Sequence, residues 1–337
     1  MLDNFLQITP DVIFDAAETL GGRCTGRFLA LNAMENRVYD IEMEAEEAMG
    51  ASATKPVNEH IVIKFYRPGR WSRETIQAEH DFLKALDANE IPVVCASCDP
   101  TGRSVFEINQ VSFAIFPKRP GRLEPELNEE QLTRLGRFLA RLHGVGATFP
   151  SAPRMRLTPT TYGRDSLKTL LELKLLPDNL APRFAQLVEQ ICDRIDPFFA
   201  GVETVLLHGD CHCGNILWKG DNPYFIDFDD MLFAPPVQDF WMLTGGDDSY
   251  GTERRKILIE AYEEIRDFDR ATLRLIEPLR ALRMIYFNAW IARRWEDGAF
   301  KMAFPSFATE RYWQEQLEGL SAQWEKIAYA ENSDYIG

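Results

Sequence analysis

Apolar and polar positions alternate through the first third of the chain and recur at helical spacing through most of the rest. Residues 26–31 and Arg37–Met43 form two strand-type runs joined by Asn32-Ala33-Met34-Glu35-Asn36. Residues 61–66, Ile-Val-Ile-Lys-Phe-Tyr, predict a third strand stopped by Pro68 and Gly69. Between the second and third strands, the polar stretch 44–60 reads as a loop longer than an ordinary hairpin connection. A helix is predicted over 72–88, with Ile76, Glu79, Leu83 and Leu86 on one face. Glu79 is out of place on that apolar face. Short strands are predicted at 93–95, 105–108 and 111–116.

Pro117-Lys118-Arg119-Pro120-Gly121 breaks the pattern and reads as a linker. Beyond it the periodicity becomes helical. Asn128-Glu129-Glu130-Gln131 resembles a capping box, and Leu132, Leu135, Leu139 and Leu142 form a stripe behind it. Three short strands, Val205–Leu207, 216–218 and 224–226, interrupt the helices. Helical patterns then fill the remainder, including 276–295 and a final stripe of Trp313, Leu317, Leu320, Trp324 and Ile327. The expected fold is α+β and two-lobed: a β-rich N-lobe over 1–117 and a mainly helical C-lobe over 118–337.

Charge and cysteine content narrow the function classes. The formal net charge is −15, from 52 acidic and 37 basic residues. That balance disfavours a nucleic-acid binder, which needs a basic stripe, and docking on anionic lipid. Six cysteines in 337 residues do not make a small disulfide framework. The first residues carry acids where a signal peptide has lysines, and no apolar run approaches the roughly 20 residues of a membrane span. The expectation is a cytoplasmic protein with reduced thiols.

The chemistry concentrates in His208-Gly209-Asp210-x-His212-x-Gly214-Asn215, followed by Ile226-Asp227-Phe228-Asp229. The Asp-to-Asn spacing equals that of the kinase catalytic loop, and a second aspartate after a short strand matches the metal-binding position. Phosphoryl transfer needs a proton acceptor beside the attacking hydroxyl and hard oxygen ligands for Mg²⁺. A hairpin between Asn215 and Asp227 would deliver both ligands at one edge. Turn residues and a strand-end cap are the ordinary reading of such aspartates one at a time. Their joint occurrence at kinase spacing favours the catalytic reading. Lys64, in mid-strand, occupies the place of the kinase lysine that contacts the α/β-phosphates, and Glu79 on the next helix supplies its partner. Taken singly, Lys64 could be a snorkelling edge lysine and Glu79 a residue reaching solvent. The turn at Asn32, Ala33, Asn36 and Arg37 stands where kinases carry a glycine-rich phosphate loop, but it has no glycine.

These motifs resemble the aminoglycoside phosphotransferase and choline kinase superfamily, which shares the protein kinase fold. Within it, N-A-M-E-N-R-V-Y, V-I-K-F-Y-R-P-G-R-W, L-H-G-D-C-H-C-G-N-I-L-W and P-V-Q-D-F-W-M-L are similar to the bacterial stress response kinases. The resemblance implies an autophosphorylating serine/threonine protein kinase acting in stress survival; the expected enzyme uses ATP and Mg²⁺ in a cleft between the lobes, and a monomer is expected. It implies Asp210 as proton acceptor and Asn215 and Asp227 as Mg²⁺ ligands, Asp227 also counting as catalytic. Lys64 and Glu79 would position ATP, with Asn32, Ala33, Asn36 and Arg37 at its phosphates. Phe116 and its neighbour Lys118 would form the adenine hinge, and Asp239 would brace the catalytic loop. Ala33 stands where the family can carry a serine, and Asp229 replaces the glycine of D-F-G, so a protein-kinase activation-loop switch is not implied. Two alternatives remain open: a kinase of small hydroxyl compounds, and a catalytically silent nucleotide-binding module. The protein substrate is not identified.

Weaker constellations have plainer readings. Cys95-x-x-Cys98 and Cys211-His212-Cys213 could suggest zinc, but fall at a strand end and at variable loop positions. Cys211 and Cys213 are also candidates for redox regulation. His208 and His212 read as bracing residues of the loop, and His143 as a helix-end residue favoured by the dipole. Arg280, Arg283, Arg293 and Arg294, with Trp290 and Trp295, admit two readings: the lining of a phosphoacceptor groove, or the exposed face of a core helix.

Overall fold

The computed structural model describes residues 5–45, 59–246 and 248–329. Most of the long loop at 44–60 and the tail beyond residue 329 thus lie outside the described residues. The chain divides into two compact units. The first comprises Met1–Leu127, Thr148–Arg154 and Cys213–Asp229, and the second Asn128–Ala147, Met155–His212 and Asp230–Gly337.

The first unit is built on an antiparallel sheet in the order β1-β2-β3-β5-β4, with β1 at Cys24–Ala30, β2 at Arg37–Met43, β3 at Glu59–Phe65, β4 at Phe106–Ile108 and β5 at Val111–Pro117. Alternation gives the sheet two chemically distinct faces. Ile41, Ile63, Phe65, Phe113 and Ile115 are buried on one, packed with Ile13, Ala16 and Ala17 of helix α1 (Pro10–Ala17). Lys64 pairs with Val38 and Ala114, and Val62 with Asp40 and Phe116, so these six share the opposite face. Helix α2 (Arg73–Ala88) starts at Ser72, whose side chain accepts from the Thr75 amide, and it buries Ile76, Glu79, Phe82, Leu83 and Leu86. Ile76 packs with Tyr66 and Ala114, which places α2 on the Lys64 face.

A small sheet completes this unit, with β6 (Arg122–Leu123) beside the hairpin of β8 (Ile216–Lys219) and β9 (Asn222–Phe225). Residues 93–95, expected as a strand, make a single bridge from Val93 to Phe225. Cys95 bonds back to the Leu83 carbonyl instead of joining a ladder, so the apolar run serves burial without sheet pairing.

The second unit is mainly helical. Helix α3 (Glu129–Thr148) begins with the expected box: Gln131 N–H donates to Asn128 Oδ1 and Asn128 N–H to Gln131 Oε1, each at 2.9 Å. Its four stripe leucines are buried. A π-helical turn at Pro159–Arg164 leads into α4 (Asp165–Glu172) and then α5 (Ala181–Phe199). Strand β7 (Val205–Leu207) pairs with β10 (Leu232–Ala234), followed by α6 (Val237–Thr244), α7 (Ser249–Glu263), α8 (Ile276–Ala292), α9 (Gly298–Ala303) and α10 (Glu310–Tyr329). His143 is not the helix-end residue expected. It lies fully buried within α3, between Asp239 Oδ2 and the Tyr262 hydroxyl, both at 3.2 Å, so burial and hydrogen bonding fix it and not the helix dipole.

Candidate active site

The β8–β9 hairpin pairs Ile216 with Phe225 and Lys219 with Asn222. Asn215 therefore precedes one strand at the end where Asp227 follows the other, and Ile226 N–H donates to the Asn215 carbonyl at 3.0 Å. Asp227 has φ +61°, a left-handed conformation uncommon for a non-glycine residue and concentrated at functional sites. Its side chain is 53% exposed.

Lys64 meets this end of the hairpin. Its Nζ lies 3.0 Å from Asp227 Oδ1, 2.5 Å from Asp229 Oδ1 and 4.0 Å from Glu79 Oε1. Burial alone would lower the Lys64 pKa, but Asp227, Asp229 and Glu79 outweigh it and raise it well above the ordinary value. Burial pushes Glu79 up to about 7, against the pull of Lys64. Asp229 goes the other way: burial would raise it, but Lys64 and Arg70 hold it below the usual carboxylate range.

Three further residues organise the cluster. Arg154 is fully buried and donates to the Asp229 carbonyl at 2.7 Å and the Thr75 carbonyl at 2.9 Å, with Glu79 Oε2 at 3.5 Å. Arg70 reaches Asp229 Oδ2 at 3.3 Å and Glu35 at 3.5 Å. Asn36 donates to Asp229 Oδ2 at 2.5 Å and accepts from the Arg67 amide. Sequence reading missed Asp229, Arg70 and Arg154 as members. Asp229 was legible from its place two residues after Asp227. Arg70 was legible only as a charge in the turn after β3. Arg154 lies in a proline-flanked loop, and no short-range signal marks it.

Asn32 is exposed and Ala33 half-buried. Arg37 is half-buried, with its guanidinium 5.3 Å from the Phe5 ring centroid. Phe116, half-buried, sits edge-on to His80 at 5.8 Å. Lys118 is paired with Asp40 at 2.5 Å, and His60 takes the other Asp40 oxygen at 2.8 Å. A groove of about 660 Å³ along the outer side of α2, lined by Arg73, Gln77, Asp81 and residues 149–153, contains none of these groups.

Within the second unit, Asp210 sits on a loop braced from behind. Asp239 accepts from the His208 amide at 3.0 Å and the Gly209 amide at 2.9 Å, and Gln238 donates to the Gly209 carbonyl at 3.0 Å. Gly209 has φ +83°, and a Cβ there would collide with the Asp230 carbonyl, so the motif requires glycine. The Asp210 amide donates to His208 Nδ1 at 3.3 Å. His212 Nε2 lies 3.4 Å from Asp210 Oδ2, and Arg283 Nη2 lies 2.8 Å from Oδ1. Burial would raise the Asp210 pKa, but the His212 hydrogen bond and the Arg283 charge outweigh it and hold the carboxyl well below its usual range. The group is an ionised acceptor at neutral pH. All six cysteines are thiols.

A low-pKa carboxylate sits on a braced loop in one unit, and a lysine–aspartate cluster sits at a hairpin end in the other. Residues 47–276 match the model of the phosphotransferase enzyme family, and the chain belongs to that family. It transfers a phosphoryl group to a hydroxyl acceptor. It is 37% identical over 313 residues to stress response kinase A of Salmonella choleraesuis strain SC-B67, covering 93% of this chain and 91% of the relative. It is 36% identical, over the same shares, to serine/threonine protein kinase RdoA of Salmonella typhimurium strain LT2. Among solved structures, amicoumacin kinase hAmiN in complex with AMP-PNP, Ca²⁺ and Ami matches with a TM-score of 0.70 at 18% identity, covering 93% of this chain and 95% of that one. Spectinomycin phosphotransferase APH(9)-Ia with ADP and spectinomycin matches with 0.63 at 15% identity, covering 94% and 99%. These two likenesses concern the fold. No helix among the described residues is long and apolar enough to cross a membrane.

Proposed function

We propose that the chain is a cytoplasmic, ATP- and Mg²⁺-dependent serine/threonine protein kinase that labels itself and serves stress survival. The observation that carries the reading is the 3.0 Å contact between Lys64 and Asp227, residues 163 apart in the sequence. The protein acceptor and the stress role rest on the similarity to the two named kinases. Nucleotide and divalent cation are supported by the ligands of the fold neighbours.

The donor chemistry fits a metal that arrives with a nucleotide. No group of three or more His, Cys, Asp or Glu side chains arranged for a metal occurs among the described residues. Asp227 and Asn215 offer two hard oxygens, and Mg²⁺ commonly takes one or two protein oxygens, with phosphates and water completing its shell. Bound there, the ion would supply charge neutralisation of the phosphates. Lys64 holds a phosphate oxygen, and Glu79 with Arg154 fixes α2 behind it. The half-buried apolar residues Val38, Val62 and Phe116 offer a floor for a flat base on the same sheet face. Asp210 orients the acceptor hydroxyl and takes its proton as the phosphoryl group transfers, so most of the catalysis is positioning and electrostatics. In this reading residues 1–117 form the nucleotide lobe and 118–337 the lobe with the catalytic loop, and the protein acts as a monomer.

The test uses purified protein with radiolabelled ATP and Mg²⁺, without and with added acceptor. Self-labelling that disappears in Asp210→Ala is expected. Labelling of a small hydroxyl compound alone would reject the protein-kinase reading, and ATP binding without any transfer would indicate a silent module.

A further inference from the structure

Four arginines project from α8 and the turn after it, and three are tied into the fold. Arg280 donates to the Gly245 carbonyl at 2.5 Å, pairs with Glu277 at 3.4 Å and lies 5.3 Å from the Trp241 ring centroid. Arg293 donates to Thr169 Oγ1 at 3.2 Å and covers the Tyr286 ring. Arg294 donates to the Trp290 carbonyl at 2.8 Å and covers that ring. Arg283 differs. Its one ion partner among the described residues is Asp210, and its side chain remains 39% exposed. A guanidinium has five N–H donors in a planar fork suited to carboxylate and phosphate. Donors therefore remain for a ligand that approaches Asp210.

His212 Nε2 lies 3.4 Å from the second oxygen of Asp210, and the carboxylate of Glu277, the acid of α8, is already engaged by Arg280 and Gln323. One helical turn beyond Arg283, Phe287 is exposed, stacked on Trp290 at 5.5 Å and edge-on to Phe304 at 5.8 Å. Carboxylate, guanidinium and exposed ring thus follow one another along the second unit, in a chain whose net charge is −15.

Resting on the reading that Asp210 takes the acceptor's proton, we propose that Arg283 determines acceptor specificity, selecting a hydroxyl with an anionic group beside it, in a protein a Ser or Thr flanked by Asp or Glu. A hydroxyl that reaches Asp210 comes within range of the guanidinium. A neighbouring carboxylate gains a charge-assisted hydrogen bond there. A neighbouring ammonium, as in an amino alcohol, meets like charge, and such juxtaposition rejects wrong partners. The same chemistry occurs in a small hydroxy acid, and the experiment separates the two sources.

Fluorescent serine peptides identical except for Glu, Ala or Lys on both sides of the serine are titrated with the full chain, followed by anisotropy. Glycerate is titrated in a separate arm by calorimetry, and variants Arg283→Glu and Arg283→Lys are compared after thermal melting shows them folded. The Glu-flanked peptide should bind the wild type at least ~10-fold more tightly than the Lys-flanked one. Arg283→Glu should invert the order, and Arg283→Lys should keep it with a smaller ratio. Equal affinities in the wild type, an order unchanged in Arg283→Glu, or no binding of either the Glu-flanked peptide or glycerate would overturn the proposal. Binding confined to glycerate would support it with a small hydroxy acid as the source. Transfer of labelled phosphate is read in parallel: the expected binding preference without transfer would sink the kinase reading while leaving the anion selectivity standing.

Discussion

Asp229 in the first unit is held by side chains from separate stretches of sequence, Asn36, Lys64 and Arg70, with Arg154 on its carbonyl. Asp210 in the second unit sits on a backbone turn gripped from beneath by Asp239, with its side chain between His212 of its own loop and Arg283 of α8. The first arrangement is a buried charge network, in which each ion is tolerable only because the others are present. The second is a rigid backbone turn presenting one carboxylate. The difference teaches where each half should fail. Damage to the network spreads through stability and nucleotide binding, whereas damage to the loop stays with the transfer step.

The sharpest test of that contrast is Asp210→Ala against Arg154→Ala. Loss of Asp210 should lower kcat by about 10²–10⁴-fold, the usual contribution of a general base, with nucleotide affinity nearly unchanged. Equal loss of nucleotide affinity, read by calorimetry, would merge the two regions into one. Arg154→Ala strands Glu79 and the Asp229 carbonyl in the interior and should destabilise by about 3–5 kcal/mol in urea unfolding. It should also weaken nucleotide binding, and Arg154→Lys should restore part of it. A positional role would not survive a variant whose nucleotide affinity is intact.

Asp239→Asn places an NH₂ against one of the amides of His208 and Gly209 and should cost about 1–3 kcal/mol. Its kcat should fall while KM for nucleotide holds, and a reversed split would contradict the loop's separate character. The smallest effect concerns pH. His80 on α2 is buried between Tyr66 and Ser104, and burial lowers its pKa to about 3. Its neutral form is the native one. Its contribution is therefore complete above the unfolded value near 6.5 and drains away as pH falls toward 3. Between pH 6.5 and 5 the loss should be about 2 kcal/mol, and His80→Gln should flatten that part of the stability curve.

What the sequence by itself determined was local. The alternation of Arg37–Met43 and of 61–66 specified strands, and the Asn128–Gln131 box started α3. Glu79 was legible as a misplaced carboxylate because one helix turn is enough to reveal a break in an apolar stripe. Strand β10, the failure of 93–95 to join a ladder, and the burial of His143 were not legible, because each depends on a partner far along the chain. The same holds for Arg154 and Arg70, while for Arg283 two readings stayed open until its partner was known. An arginine in a loop or on a helix face reads as solvated until tertiary packing brings a carboxylate and further hydrogen-bond acceptors to it, which together offset the cost of desolvation.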